Sequence, residues 1–137
     1  MYAGEVIASV VYGHRLHGYP GRCVRIHGHN AVVTVRVESQ GLDAHGFVVD
    51  FYEVRAALDA VLTGFDHTLL LAPGDPLAAV LRDAGEPFRE LATPPSAEHL
   101  ARLVLETLNT GDRAWRATWV RWEEEPGFCA EARGGVR

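Results

Sequence analysis

Residues 24–39 read VRIHGHNAVVTVRVES, and their second half alternates without a break: Val33, Val35 and Val37 to one side, Thr34, Arg36 and Glu38 to the other. Successive side chains of an extended strand point to opposite faces, so this period of two predicts a long strand with one buried and one wetted face. The apolar face then needs a covering layer. Upstream, residues 3–12 (AGEVIASVVY) form another β-rich run, and the glycine- and proline-bearing HGYPGR lies between the two as a loop. The pair reads as two antiparallel neighbours.

Downstream, Gly41 and LDAHG form a turn, and residues 47–50 (FVVD) read as a short strand leading into a helix. Asp50 stands as its N-cap with Glu53 three residues on, a capping-box arrangement. Phe51, Val54, Leu58, Val61, Leu62 and Phe65 recur at helical spacing, with Gly64 near the end. DHTLLLAPGDP is turn-like, PLAAVLRDAG is a short helix closed by Gly85, and EPFRELATPP is irregular. Ser96 caps a second amphipathic helix carrying Leu100, Leu103, Val104 and Leu108. After NTGDR comes a last strand, AWRATWVRWEEE, in which Trp115, Ala117 and Trp119 alternate with Arg116, Thr118 and Val120; GFCAEAR adds a final edge strand. Strands, then helices, then strands predict an α+β fold, an antiparallel sheet with its helices on one face. A sheet of about four strands has open edges, which favours assembly through them.

The length of 137 residues suits a single domain over 1–137, and 47% hydrophobic with 23% charged residues excludes a disordered tail, a fibre or a disulfide scaffold. The net charge of -5 offers no footprint for nucleic acid. All 13 basic side chains are arginines, the residue suited to forked contacts with phosphate. MYAGEVIASVV lacks the marks of a signal peptide, and no apolar run approaches the ~20 residues of a membrane span. A cytoplasmic protein is expected, with Cys23 and Cys129 as reduced thiols.

Histidine is the anomaly: of 7, His14, His17, His27 and His29 crowd one short stretch. His27 and His29 form H-x-H on a strand, which puts both rings on one face, and His14 ends the preceding strand. Three imidazoles without an obligatory fourth ligand are the arrangement of a catalytic zinc site; an exposed H-x-H pair is the plainer alternative. His17, in the loop, goes to solvent. Cys23 is either a fourth ligand that closes the site or a reactive thiol near the cation, and the reactive role is favoured. Asp66 beside His67 makes an acid/base element or a polar turn. Alternation puts Val120, Trp122 and Glu124 on one side, where a carboxylate beside an aromatic suits a flat heterocycle bearing N–H donors; otherwise Glu123, Glu124 and Glu125 are a solvated run.

HRL at 14–16 and C-x3-H-G-H-N at 23–30 resemble the signature of the 6-pyruvoyl-tetrahydropterin synthase and 6-carboxy-tetrahydropterin synthase family. The likeness continues through GFVVDF at 46–51, DH at 66–67, PSAEHLA at 95–101 and VRWEE at 120–124. The resemblance implies a tunnelling fold, ββααββ, and zinc held by His14, His27 and His29. It implies that Cys23 is the catalytic thiol, that Asp66 and His67 are the acid/base pair, and that Glu124 anchors the pterin, with Glu123 the alternative. It further implies a dihydropterin triphosphate substrate and a homo-oligomer, a hexamer with sites at subunit boundaries. Arg15 and Arg22 are candidates for the triphosphate. The chain departs from the family pattern at Leu71, where asparagine is usual, at Ser96 and His99, and in VVYGHRL. The leading expectation is a 6-carboxy-type synthase. Its alternatives are the 6-pyruvoyl product, a relative whose pocket Leu71 reshapes for another substrate, and a zinc-stabilised binding module closed by Cys23.

Overall fold

The alternating run at 31–38 lies in the middle of the sheet, as its pattern requires. In the computed structural model, which describes residues 1–134, β1 (Tyr2–His14) pairs antiparallel with β2 (His27–Ser39) along their whole length. The remaining elements are α1 (Phe51–Leu62), β3 (Thr68–Leu71), α2 (Leu77–Ala84), β4 (Phe88–Glu90), α3 (Ala97–Leu108), β5 (Ala117–Glu125) and β6 (Phe128–Arg133). They form a six-stranded sheet in the order β4-β3-β1-β2-β5-β6. The α+β class is as expected. The sheet is mixed rather than antiparallel, because β3 joins β1 in parallel and β4 joins β3 in parallel.

One face of the sheet makes the core. Val6, Ala8, Val10 and Tyr12 of β1 and Ala31, Val33, Val35 and Val37 of β2 are buried in strict alternation, against Val54, Leu58 and Leu62 of α1 and Leu100, Val104, Leu105 and Leu108 of α3. Each buried valine or leucine among them contributes about 1.5–3 kcal/mol by leaving water. Both helices start on the expected caps. The Asp50 carboxylate accepts from the Tyr52 backbone N–H at 2.8 Å, and the Ser96 hydroxyl accepts from that of His99 at 3.4 Å.

Three expectations need correction. FVVD at 47–50 is not a strand: Asp43 accepts from the backbone N–H groups of His45 and Phe47, so the segment closes on itself. TLLL and FRE are strands rather than turn and irregular chain. Leu70 and Leu71 are fully buried, and a strand covered on both sides reads as a continuous apolar run without alternation. In β5 the alternation changes phase, because Arg36 opposes Trp119 while Val37 opposes Ala117, leaving Thr118 as an extra residue. This bulge turns Ala117, Val120 and Trp122 to the core and Trp119 outward, beneath the Arg36 guanidinium at 4.8 Å. Among the described residues no helix is long and apolar enough to cross a membrane.

Candidate metal centre and active site

The β1–β2 register builds the centre. His14 stands directly opposite His27, and Tyr12 opposite His29, so all four side chains share the core-side face at one end of the hairpin. Their alternates, Gly13 and Gly28, pair on the other face. His14 Nε2 lies 3.0 Å from His27 Nε2 and 3.1 Å from His29 Nε2. Among the described residues, His14, His27 and His29 form a group whose ligand atoms all lie within 4.8 Å of one another, and this cluster can hold a metal ion.

The proton positions strengthen that conclusion. His14 Nδ1 donates to the Pro95 carbonyl and His27 Nδ1 to the Arg25 carbonyl, each at 2.7 Å. A carbonyl has no proton to give, so in the neutral rings both Nε2 atoms carry lone pairs. Burial, reinforced by the two neighbouring imidazoles, lowers the His14 pKa to about 4, although its bond to Pro95 opposes the shift. With both rings neutral, two lone pairs therefore face each other at 3.0 Å, an arrangement that a cation relieves. Nitrogens about 2.0–2.1 Å from a tetrahedral zinc stand about 3.3 Å apart, close to the spacings found.

A cavity of about 310 Å³ opens beside His14, and Cys23, Glu124, Ser96 and Ala97 line it. Cys23 reaches it because the loop folds back: the Leu16 N–H donates to the Cys23 carbonyl at 2.7 Å, and a 3-10 turn spans Arg22–Val24. The thiol is free and partly buried, and it is not part of the three-imidazole cluster. Glu124 Oε1 lies 3.9 Å from His14 Nε2. Glu123 faces the opposite way, where Arg121 donates to it at 2.9 Å.

Asp66 and His67 are in contact, with His67 Nδ1 2.9 Å from Asp66 Oδ2. That bond, with a second from the Val11 N–H, holds the Asp66 carboxyl below the usual carboxylate range. His67 has a left-handed backbone at φ 52, and its N–H donates to the Val11 carbonyl. Strained backbone of this kind gathers at functional positions. Within one chain the pair does not meet Cys23. His67 lines a different cavity, of about 570 Å³, together with His27 and Gly28. The histidine cluster thus sits between two cavities, one holding the thiol and the other the imidazole of His67.

A protein family described as 6-pyruvoyl tetrahydropterin synthase matches residues 5–135. The chain belongs to this family. A probable 6-carboxy-5,6,7,8-tetrahydropterin synthase of Halobacterium salinarum is 41% identical over 96 residues, 69% of this chain and 60% of that protein. A 6-carboxy-5,6,7,8-tetrahydropterin synthase of Aquifex aeolicus is 33% identical over 92 residues, 64% of this chain and 57% of its own. The matched stretch thus spans about three fifths of these relatives' length. Among solved structures, an uncharacterised protein of Wolinella succinogenes superposes with a TM-score of 0.85 at 21% identity over 98% of both chains. The 6-pyruvoyl tetrahydropterin synthase of Caenorhabditis elegans gives 0.73 at 22% identity over 98% of this chain and 96% of the other. These likenesses establish the fold.

Within this pterin synthase family framework, several side chains fall differently from expectation. Arg15 is not free for a phosphate: its Nε donates to Asp75 Oδ2 at 2.8 Å and its Nη2 to Asp75 Oδ1. Asp75 is buried and also accepts from the Leu77 N–H at 2.8 Å, so it ties the chain after His14 to the start of α2. The Arg15 bonds hold its carboxyl below the ordinary range. Leu71 belongs to the core, where its carbonyl accepts from the Leu91 N–H. His17 is exposed, as expected. Sequence reasoning missed the Pro95 and Arg25 carbonyls, since backbone acceptors leave no residue-type signature. It also missed Tyr12, whose only signal was an aromatic two residues before His14.

Proposed function

We propose that the chain converts 7,8-dihydroneopterin triphosphate and one water into 6-carboxy-5,6,7,8-tetrahydropterin, releasing triphosphate and acetaldehyde, with zinc held by His14, His27 and His29. The observation that carries this reading is the convergence of three imidazole Nε2 atoms beside a cavity that Cys23 and Glu124 also line. The 6-carboxy product is preferred to 6-pyruvoyl-tetrahydropterin because relatives at 41% and 33% identity bear that name.

Bound at the three histidines, zinc supplies Lewis acidity toward substrate hydroxyls. The residues of the chain do the rest. Pro95 and Arg25 hold the His14 and His27 rings with Nε2 inward. Glu124 accepts N–H bonds from the flat heterocycle and orients it beside the cluster. Cys23, as thiolate, removes a proton from the substrate, and His67, steadied by Asp66, delivers or takes up another at its free ring nitrogen. Because His67 and Cys23 line separate cavities of one chain, the reading places the dyad of a neighbouring chain against the thiol, in a homo-oligomer, a hexamer by family likeness.

The test is incubation of zinc-loaded protein with 7,8-dihydroneopterin triphosphate, followed by mass spectrometry and an acetaldehyde assay. Formation of 6-carboxy-5,6,7,8-tetrahydropterin with acetaldehyde is expected. A retained side chain would assign the 6-pyruvoyl reaction instead, and absence of both products would remove the reading.

A further inference from the structure

Tyr12 lies beside the cluster, on the same face of β1 as His14 and directly across from His29. Its ring meets His14 edge-on at 5.2 Å, His29 at 5.7 Å and Trp122 edge-on at 5.3 Å. The side chain is 2% exposed. Its hydroxyl must therefore find protein partners both for its lone pair and for its proton. The oxygen accepts from Trp122 Nε1–H at 3.2 Å. An indole N–H only donates, so the phenolic proton needs another group.

The metal-side nitrogens do not suit it. His14 Nε2 is directed at His27 and His29 rather than at the phenol, and His14 Nδ1 is a donor already used by Pro95. On β5 the next residue on the same face as Trp122 is Glu124, whose carboxylate is an acidic group acting on the Tyr12 hydroxyl. The same carboxylate lines the cavity and approaches His14 Nε2 to 3.9 Å.

We propose that Tyr12 is a positioning residue: its hydroxyl, anchored by the Trp122 indole N–H, donates to the Glu124 carboxylate and fixes the direction in which that carboxylate faces the cavity. One carboxylate oxygen is then held from below while the remaining lone pairs are presented to a ligand. The same bond keeps Glu124 from swinging onto the cluster, where a cation would attract it. This role deepens the proposed function and rests on Glu124 as the acceptor for the substrate ring.

The experiment is a double-mutant cycle on the full, zinc-loaded chain with Tyr12→Phe, Glu124→Gln and both together, read in two ways. In urea unfolding, the paired groups are expected to couple by about fivefold or more in the folding equilibrium constant. In turnover of 7,8-dihydroneopterin triphosphate, Tyr12→Phe is expected to raise KM about tenfold with kcat within about twofold. Coupling below about twofold overturns the proposal, as does coupling with an unchanged KM, which would make the bond structural only. If the wild-type chain does not turn the substrate over, the proposed function falls and the unfolding cycle alone judges the Tyr12–Glu124 bond. If Tyr12→Phe does not fold, Trp122→Phe, which frees the phenol oxygen and keeps its proton, replaces it in the same cycle with coupling of the same sign expected.

Discussion

His14 Nε2 and His27 Nε2 lie 3.0 Å apart although each ring has already committed its Nδ1 proton to a backbone carbonyl. Without a cation the two lone pairs repel, so metal should stabilise the fold. Titration of metal-free chain with zinc is expected to reach one equivalent per chain. At a free concentration about 100-fold above Kd it should stabilise the fold by about 2.7 kcal/mol, visible as a higher Tm that a chelator reverses. His14→Ala and His27→Ala should abolish the shift. A shift that survives either substitution would place the metal elsewhere.

The separation of Cys23 and His67 into two cavities predicts complementation between chains. Cys23→Ala and His67→Ala should each lose at least about 100-fold in kcat while retaining metal. Unfolded together and refolded as a mixture, the two variants should regain a substantial share of activity, because some boundaries pair an intact thiol with an intact imidazole. A mixture no more active than its parts would place the whole site within one chain.

Asp75→Asn tests the tie between Arg15 and the start of α2. It leaves a mostly buried guanidinium without its carboxylate, so a loss of roughly 3 kcal/mol in urea unfolding is expected. The pH dependence has a definite sign. The Asp75 carboxyl is held below its ordinary value by Arg15, so as pH falls the unfolded chain takes up this proton first. The bond contributes fully above the ordinary carboxylate range and is lost progressively below about pH 5. The variant should therefore show a shallower acid limb than the wild type, and parallel limbs would refute the assignment.

Gly28 separates His27 and His29, and a Cβ added there would lie 3.2 Å from the Tyr12 carbonyl oxygen. That neighbour is backbone, two residues before His14, and gives way only if β1 shifts. Gly28→Ala is expected to destabilise the metal-free fold by about 1 kcal/mol. It should weaken zinc binding by about tenfold or more, measured by competition with a chromogenic chelator. Unchanged affinity would mean that the hairpin absorbs the methyl without moving its histidines.

The site was legible where chemistry depends on residue type and period. H-x-H on an alternating strand puts His27 and His29 on one face whatever the rest of the chain does, and the antiparallel return put His14 across from His27. The caps at Asp50 and Ser96 were equally readable, because a short polar side chain before an apolar stripe has few other uses. β3 and β4 were not readable. In β3 Leu70 and Leu71 are fully buried, and a short uniform apolar run does not distinguish strand from turn or helix, while the three residues of β4, Phe88–Glu90, are too few to show a period. The Thr118 bulge was invisible because both phases of β5 offer apolar residues to the core.

The sequence by itself determined the α+β class, the central hairpin, the gathering of His14, His27 and His29 and the family, since each follows from local period or from ordered motifs. Tertiary structure alone decided which groups meet. It gave Arg15 to Asp75 rather than to a phosphate, turned Glu124 and not Glu123 toward the cavity, and set Cys23 and His67 on separate cavities. It also aimed the Pro95 carbonyl at His14 across 81 positions. The reason is physical: a side chain's type and spacing are properties of the local chain, whereas its partner is selected by packing between segments far apart in sequence.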